Sequence, residues 1–238
     1  MPLKAQEIWL LQAPGKDADF QELQIRRIIQ DREGFIWAAS QNGLIKYDGY
    51  QFYTYYYDAS NPTGLRHNFI TNLLEDPEEE FIWITTYGGG LHRFDKRQNK
   101  IGWIPLKLKS KKSLALNCLS ITPDQSLWLG GVDSLYKINR QTLKNESVRF
   151  KPEKQAQPNI SSIQPIGKDK IWLGTADGII EFNTINKQSK QLSKTSGKSV
   201  RCIIARNNPQ LLIAGVNNEI LVYDKKSNDY KFYNFNNP

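Results

Sequence analysis

Apolar residues along the chain come in short bursts separated by charged or Gly/Asn-rich turns, and no segment keeps the 3.6-residue period of a helix. One kind of burst reads Ile25, Ile28, Ile29 or Ile70, Leu73, Leu74, and a charged turn follows it: DREG, DPEEE, PDQ, GKDK, RNNPQ. A second burst, FIW or LWLG, is rich in aromatic and branched residues, as strands prefer. A Gly/Asn turn (QNG, YGGG, ADG, VNN) leads into a third burst that ends in an aromatic residue or Ile, often followed by Asp. A looser fourth contains FYTYYY, IGWIPL, VRF, KQL or YKFYNF. The pattern predicts few helices and repeated sets of four short strands.

The sets recur at a fixed interval. Trp37, Trp83, Trp128 and Trp172 are spaced by 46, 45 and 44 residues, each in an equivalent phrase. A fifth phrase starts at Val200 and reads Leu212 at the Trp position. A period of roughly 40 to 45 residues with four strands is the signature of a β-propeller blade. One four-stranded sheet cannot bury both faces alone, whereas blades stacked around an axis cover one another. The expected fold is therefore all-β: a β-propeller of four-stranded antiparallel blades occupying residues 1–238 as one domain. Five blades are recognisable, at about 25–69, 70–115, 116–159, 160–199 and 200–238, in a small closed ring or a partial fragment of a larger one. Residues 1–24, with the apolar run Ile8, Trp9, Leu10, Leu11, supply an extra strand or the remnant of a further blade.

Composition narrows the class. The 238 residues are 39% hydrophobic and 24% charged, which is globular and excludes collagen-like or wholly disordered chains. No apolar run approaches the 18 or so residues of a membrane span, and the N-terminus does not read as a signal peptide. Two cysteines, Cys118 and Cys202, make neither a disulfide framework nor a cysteine zinc site. They occupy the same slot two blades apart, so both are expected to be reduced packing residues. The net charge of +8 is uneven: residues 1–95 carry −6 and residues 96–238 carry +14.

Several phrases resemble the two-component regulator propeller repeat, whose core runs roughly D-x-x-G-x-[LI]-W-[IL]-G-T-x-x-G-L-x-[RK]-[YF]-D. DREGFIWAASQNGLIKYDG (31–49) and EDPEEEFIWITTYGGGLHRFD (75–95, with one added Gly) are similar to it, and IWLGTADGIIEF (171–182) is similar to its middle. The approach to the next blade is echoed by GLRHNFI (64–70) and SLALNCL (113–119). The resemblance covers about residues 25–224. It implies the extracytoplasmic, periplasmic sensor region of a hybrid two-component histidine kinase, commonly one that senses oligosaccharides. It further implies a non-enzymatic chain without a cofactor. The partners to look for are an oligosaccharide ligand, further propeller modules of the same receptor and a homodimer. Neither nucleic acid nor a membrane segment is expected. The competing readings are a protein-interaction scaffold and, from another class, a propeller lyase or hydrolase.

Candidate chemistry is sparse. His67 and His92 are read as surface or loop residues, and no Ser/His/Asp or Cys/His set can be assembled, so no catalytic residue is assigned. The acidic turn residues, among them Asp31 and Asp76, suit calcium in principle but read more simply as solvated turns, and no metal site is assigned. Alternation along the run from Phe52 to Tyr57 puts Tyr53, Tyr55 and Tyr57 on one face. Exposed Tyr and Trp are what sugar rings stack on, so Tyr53, Tyr55, Tyr57, Tyr87 and Trp103 are the candidate ligand-binding residues, with filling of the inter-blade gap as the alternative. Lysine-rich stretches at 96–112 and 187–201 read as solubilising loops, since lysine outnumbers arginine in both.

Overall fold

The computed structural model describes residues 24–107, 115–132, 134–149, 159–205, 211–217, 219–224, 226–227 and 229–234. The extra strand expected at residues 8–11, and Lys109, Lys111 and Lys112, lie outside the described residues. Twenty strands form five sheets of four, each a simple antiparallel meander. The first comprises β1 (Ile25–Gln30), β2 (Ile36–Ser40), β3 (Gly43–Tyr47) and β4 (Phe52–Tyr55), and the second β5 (Ile70–Glu75), β6 (Phe81–Thr86), β7 (Gly90–Asp95) and β8 (Lys100–Ile104). The third comprises β9 (Leu116–Ile121), β10 (Ser126–Gly131), β11 (Ser134–Asn139) and β12 (Asn145–Ser147), and the fourth β13 (Ile160–Pro165), β14 (Lys170–Thr175), β15 (Gly178–Asn183) and β16 (Ser189–Gln191). The fifth comprises β17 (Val200–Ala205), β18 (Leu211–Val216), β19 (Glu219–Asp224) and β20 (Asp229–Asn234). A single 3-10 turn, Ser193–Thr195, is the helical structure among the described residues. This is an all-β propeller architecture of stacked blades.

The second and third strands of a blade meet at a tight turn where backbone crosses backbone. Gly43 and Gly178 sit there at φ 137° and 102°, and a Cβ on either would come within 2.6 Å of the Tyr55 or Thr195 carbonyl oxygen. Only glycine fits both the angle and the space.

Each blade faces its successor with a tryptophan. Trp37 packs with Ile70, Leu73, Ile82, Ile84 and Phe94 of the second blade. Trp83 meets Leu116, Leu119, Leu127 and Leu129, Trp128 meets Ile160, Ile163, Ile171 and Leu173, and Trp172 meets Val200, Ile203, Ala214 and Leu221. Burying an indole leaves its N–H in need of an acceptor. Trp37 and Trp83 donate to Asp31 and Asp76 at 2.8 Å, and Trp128 donates to Thr122 at 3.1 Å. Ile166 holds the corresponding place in the fourth blade, and Trp172 turns to Glu181 at a looser 3.4 Å.

Four sequence expectations are corrected. Asp76 is not a solvated turn residue but fully buried, accepting from the Trp83 indole and from the amides of Glu78 and Glu79 at 3.0 and 3.1 Å, with the Arg140 guanidinium of the third blade also on it. Burial alone would raise its pKa, but Arg140 and the donated hydrogen bonds outweigh that and hold it below the usual carboxylate range. In the fifth blade Ile213, not Leu212, takes the tryptophan position: it opposes Ile204 as Trp172 opposes Gln164. Five residues separate β17 from β18, one more than separate β13 from β14, and that added residue shifts the alignment. His92 is the third, and is treated below. Cys118 and Cys202 do share one slot, opposite Gly130 and Gly215, and both are free, but only Cys118 is buried: Cys202 is exposed on the fifth blade and is not the packing residue expected, a fourth correction.

The stack is an arc rather than a ring among the described residues. Consecutive inner strands (β1, β5, β9, β13, β17) pack side by side, but no comparable packing joins β17 back to β1. The consequence shows at the ends. Ile25 and Ile28 are 40% and 60% exposed, whereas their equivalents Ile70, Leu73, Leu116, Leu119, Ile160, Ile163, Val200 and Ile203 are at most 7% exposed. Ile204 and Tyr233 lie open on the fifth blade.

Asp76→Asn is expected to destabilise the chain by about 3 kcal/mol, because it strips a buried guanidinium of its buried charge partner and leaves it only the exposed Glu78. Adding Arg140→Met should recover part of that loss in denaturant titrations; no recovery would place the cost elsewhere. Leu73→Asp should unfold the chain or cost more than about 3 kcal/mol, while Ile28→Asp at the equivalent exposed position stays within about 0.5 kcal/mol, measured the same way.

Candidate functional site

The inner strands carry an irregularity in every blade. The pairing register slips between Ile25 and Arg27, Ile70 and Asn72, Ile160 and Ser162, and Val200 and Cys202. In the third blade it slips across Leu116 and Cys118. Each slip is a β-bulge, and its extra residue is the second of the strand: Arg26, Thr71, Asn117, Ser161 and Arg201. The bulge re-aims that side chain out of the ladder.

These five side chains meet in one place. Together with Phe69, Tyr87, Asn159, Ala176, Ser199 and Val200 they line a groove of about 790 Å³ along the inner edge of the arc. The three middle bulge residues also tie blades together. Thr71 donates to the Leu116 carbonyl at 2.6 Å, Asn117 to the Ile160 carbonyl at 3.1 Å, and Ser161 to the Val200 carbonyl at 2.5 Å. Each acceptor is the first residue of the next blade's inner strand. Asn117 also donates to Asn159 at 2.6 Å. Arg26 lies over the Phe69 ring at 5.0 Å, and Phe69 contacts the Tyr87 ring at 5.6 Å. Tyr87 is held by its backbone, donating to the Phe69 carbonyl at 3.0 Å and bridging to Ala115, while its ring is 49% exposed.

A smaller pocket of about 340 Å³ adjoins the groove on the far side of the 87–90 turn, lined by Tyr57, Asp58, Asn61, Arg66, Gly88, Gly89 and Trp103 among others. Trp103 donates to the Gly89 carbonyl at 3.2 Å, and the Arg66 guanidinium covers its ring at 3.4 Å. Beneath it His92 is fully buried, its Nε2 accepting the Arg66 amide N–H at 3.1 Å. It is a core histidine and not the surface residue expected. Burial, with the nearby Arg66 charge adding to it, depresses its pKa to about 3 against a weaker pull from the Gly90 backbone. His67 lies at the strand approach, where its Nδ1 accepts the Phe69 N–H at 3.0 Å.

The five predicted aromatic residues are thus divided. Tyr87 stands in the groove, and Tyr57 and Trp103 share the side pocket. Tyr53 sits apart on β4, beside Gln51. Tyr55 fills the gap between the first two blades, 6.5 Å from Trp37 and 5.2 Å from Phe94, with its hydroxyl donating to Asn99 at 2.9 Å. The bulge residues were not foreseen, although a signal for them exists. Inner strands place buried apolar residues at i and i+3, as in Ile70 and Leu73, which a regular strand cannot put on one face.

No family model matches the chain, and no curated protein matches it. Solved structures do. The extracellular domain of a hybrid two component system, BT3049 from B. thetaiotaomicron, superposes with a TM-score of 0.75 at 19% identity, over 87% of this chain and 29% of that one. The extracellular domain of BT4673 from the same organism, described as a one component system, gives 0.71 at 21% identity, over 90% and 28%. A chain of a mitotic checkpoint complex gives 0.62 at 14% identity, over 89% and 64%. This chain spans less than a third of the length of the two bacterial chains. At these identities the shared feature is the propeller fold.

The folded chain refuses a proton on His92 that the unfolded chain accepts below about pH 6.5, so its contribution to stability is present above that pH and is lost as pH falls towards 3. Denaturant titrations should show about 2 kcal/mol less stability at pH 5 than at pH 7. His92→Phe should flatten that window; a slope unchanged in the variant assigns it to another group.

Proposed function

We propose that the chain is a ligand-recognition segment of an extracytoplasmic sensory propeller, part of the periplasmic region of a hybrid two-component receptor, and that its ligand is an oligosaccharide bound in the inner groove. The observation that carries this reading is the groove itself: an exposed aromatic ring, Tyr87 on Phe69, beside a row of hydrogen-bonding side chains brought together from all five blades. A sugar presents an apolar C–H face and a rim of hydroxyls, and this lining offers a surface for each. The repeat phrases resemble those of two-component regulator propellers, and the two bacterial structures sharing the fold are extracellular domains of signalling systems. The groove offers no buried nucleophile or acid/base pair, which favours recognition over catalysis. Tyr57 and Trp103 in the side pocket form a second contact area for a longer ligand.

The open end faces fit the same reading. Ile25 and Ile28 on one side, and Ile204 and Tyr233 on the other, are apolar positions of the inter-blade interface. We assign them to further propeller blades of the same receptor.

Calorimetry of the chain against a panel of oligosaccharides tests the proposal. At least one should bind, and Tyr87→Ala should weaken it by about tenfold or more, the effect of removing an aromatic anchor, while Tyr53→Ala leaves it unchanged. A chain that binds no oligosaccharide, or one whose binding ignores Tyr87, overturns the assignment to this groove.

A further inference from the structure

The groove is electrostatically one-sided. Its lining contains two arginines, Arg26 and Arg201, and no carboxylate. Several cations elsewhere in the chain are paired with carboxylates. Lys96 has Asp31, Glu33, Glu75 and Glu80 within 4 Å, Arg140 has Asp76 and Glu78, Arg32 has Glu75, and Lys198 has Glu219. No such pair involves Arg26 or Arg201 among the described residues.

Their position removes the simplest explanation, scattered surface charge. Both occupy the bulge slot that Thr71, Asn117 and Ser161 occupy in the middle blades, so the fold aims all five at one cavity. In the middle blades the slot holds a short neutral donor committed to the next blade's carbonyl. In the first and last blades it holds a long cation instead. Arg26 lies over the Phe69 ring at 5.0 Å, and a guanidinium is the group that grips a carboxylate or sulfate with two parallel hydrogen bonds. No lysine contributes to this lining; of the basic stretch 187–201, only Ser199, Val200 and Arg201 at its end reach the groove.

We infer that the groove selects acidic oligosaccharides, whose carboxylate or sulfate groups are met by Arg26 and Arg201 while the ring faces rest on Tyr87. The inference builds on the ligand-recognition reading and narrows its ligand class. A neutral sugar leaves both guanidinium groups without a counter-charge; an acidic one completes them.

The test is calorimetry on the chain with four probes: a tetragalacturonate, a chondroitin sulfate tetrasaccharide, a neutral galactotetraose and the single-stranded oligonucleotide dT10. One of the acidic saccharides should bind at least tenfold more tightly than the neutral one, the carboxylate and sulfate arms showing which anion is preferred. That advantage should shrink as salt rises and fall about tenfold in the Arg26→Gln, Arg201→Gln double variant. Lys190→Gln, a charge change outside the groove, should leave it intact. Both arginines are exposed, so the double variant should keep the parent circular dichroism spectrum. Neutral saccharide bound as tightly as acidic, acidic binding that survives the double variant, or dT10 bound as well as the saccharides would each overturn the inference. Neutral saccharide bound as tightly as acidic, and still dependent on Tyr87, would leave the ligand-recognition reading standing, whereas failure of every saccharide removes both.

Discussion

A four-stranded sheet that is apolar on both faces has to be covered twice, and nearly every feature of this chain answers that requirement. The tryptophan at the middle of the second strand in each of the first four blades supplies the largest part of the cover. Truncating one such side chain in a core typically costs about 3–5 kcal/mol, comparable to much of a domain's net stability. Its indole N–H has to be satisfied inside the same interface, and so the turn just before it carries an acceptor. Asp31, Asp76 and Thr122 belong to this device, and Arg140 crosses from the third blade to compensate the charge that Asp76 brings inside. Acidic turn residues that resemble ion ligands are here the terminals of buried hydrogen-bond networks.

The same requirement produces the groove. To bury both Ile70 and Leu73 against the preceding blade, the inner strand has to spend an extra residue between them. That residue has no ladder partner and points towards the axis. Repeated five times, a packing necessity becomes a row of side chains on a common concave surface. Because the bulge is enforced by the apolar residues around it, the identity of the projecting residue is free to vary, and here it does, from Thr, Asn and Ser to Arg.

The blade architecture was legible because a 44–46 residue tryptophan spacing and four-burst units leave few other folds. The site was much less so. Reading the strands as uniformly alternating hides the bulges and groups Tyr53, Tyr55 and Tyr57 on one face, whereas β4 ends at Tyr55 and the chain then turns Tyr57 into a different pocket. Tyr55 looks like its neighbours in sequence, yet contact with Trp37 and Phe94 makes it an interface residue. His92 is met in the core by the Arg66 backbone arriving from a loop 26 residues earlier, which local pattern does not encode. The Leu212 assignment failed by one residue because turn length, unlike strand periodicity, is not fixed by packing.

The ties made by the bulge residues all run in one direction, from the donor of a blade to the first carbonyl of its successor. The stack therefore has a polarity that its near-symmetry conceals. Losing a blade from the trailing end strips a donor of its inter-blade acceptor, as Ser161 would lose Val200 and fall back on the Gly174 carbonyl of its own blade, while losing one from the leading end only frees a carbonyl that water can serve. A unit that carries its own donor and its own acceptor fits before or after any copy of itself. Tandem duplication of such a unit creates a working junction at once, without needing a matching change elsewhere in the chain.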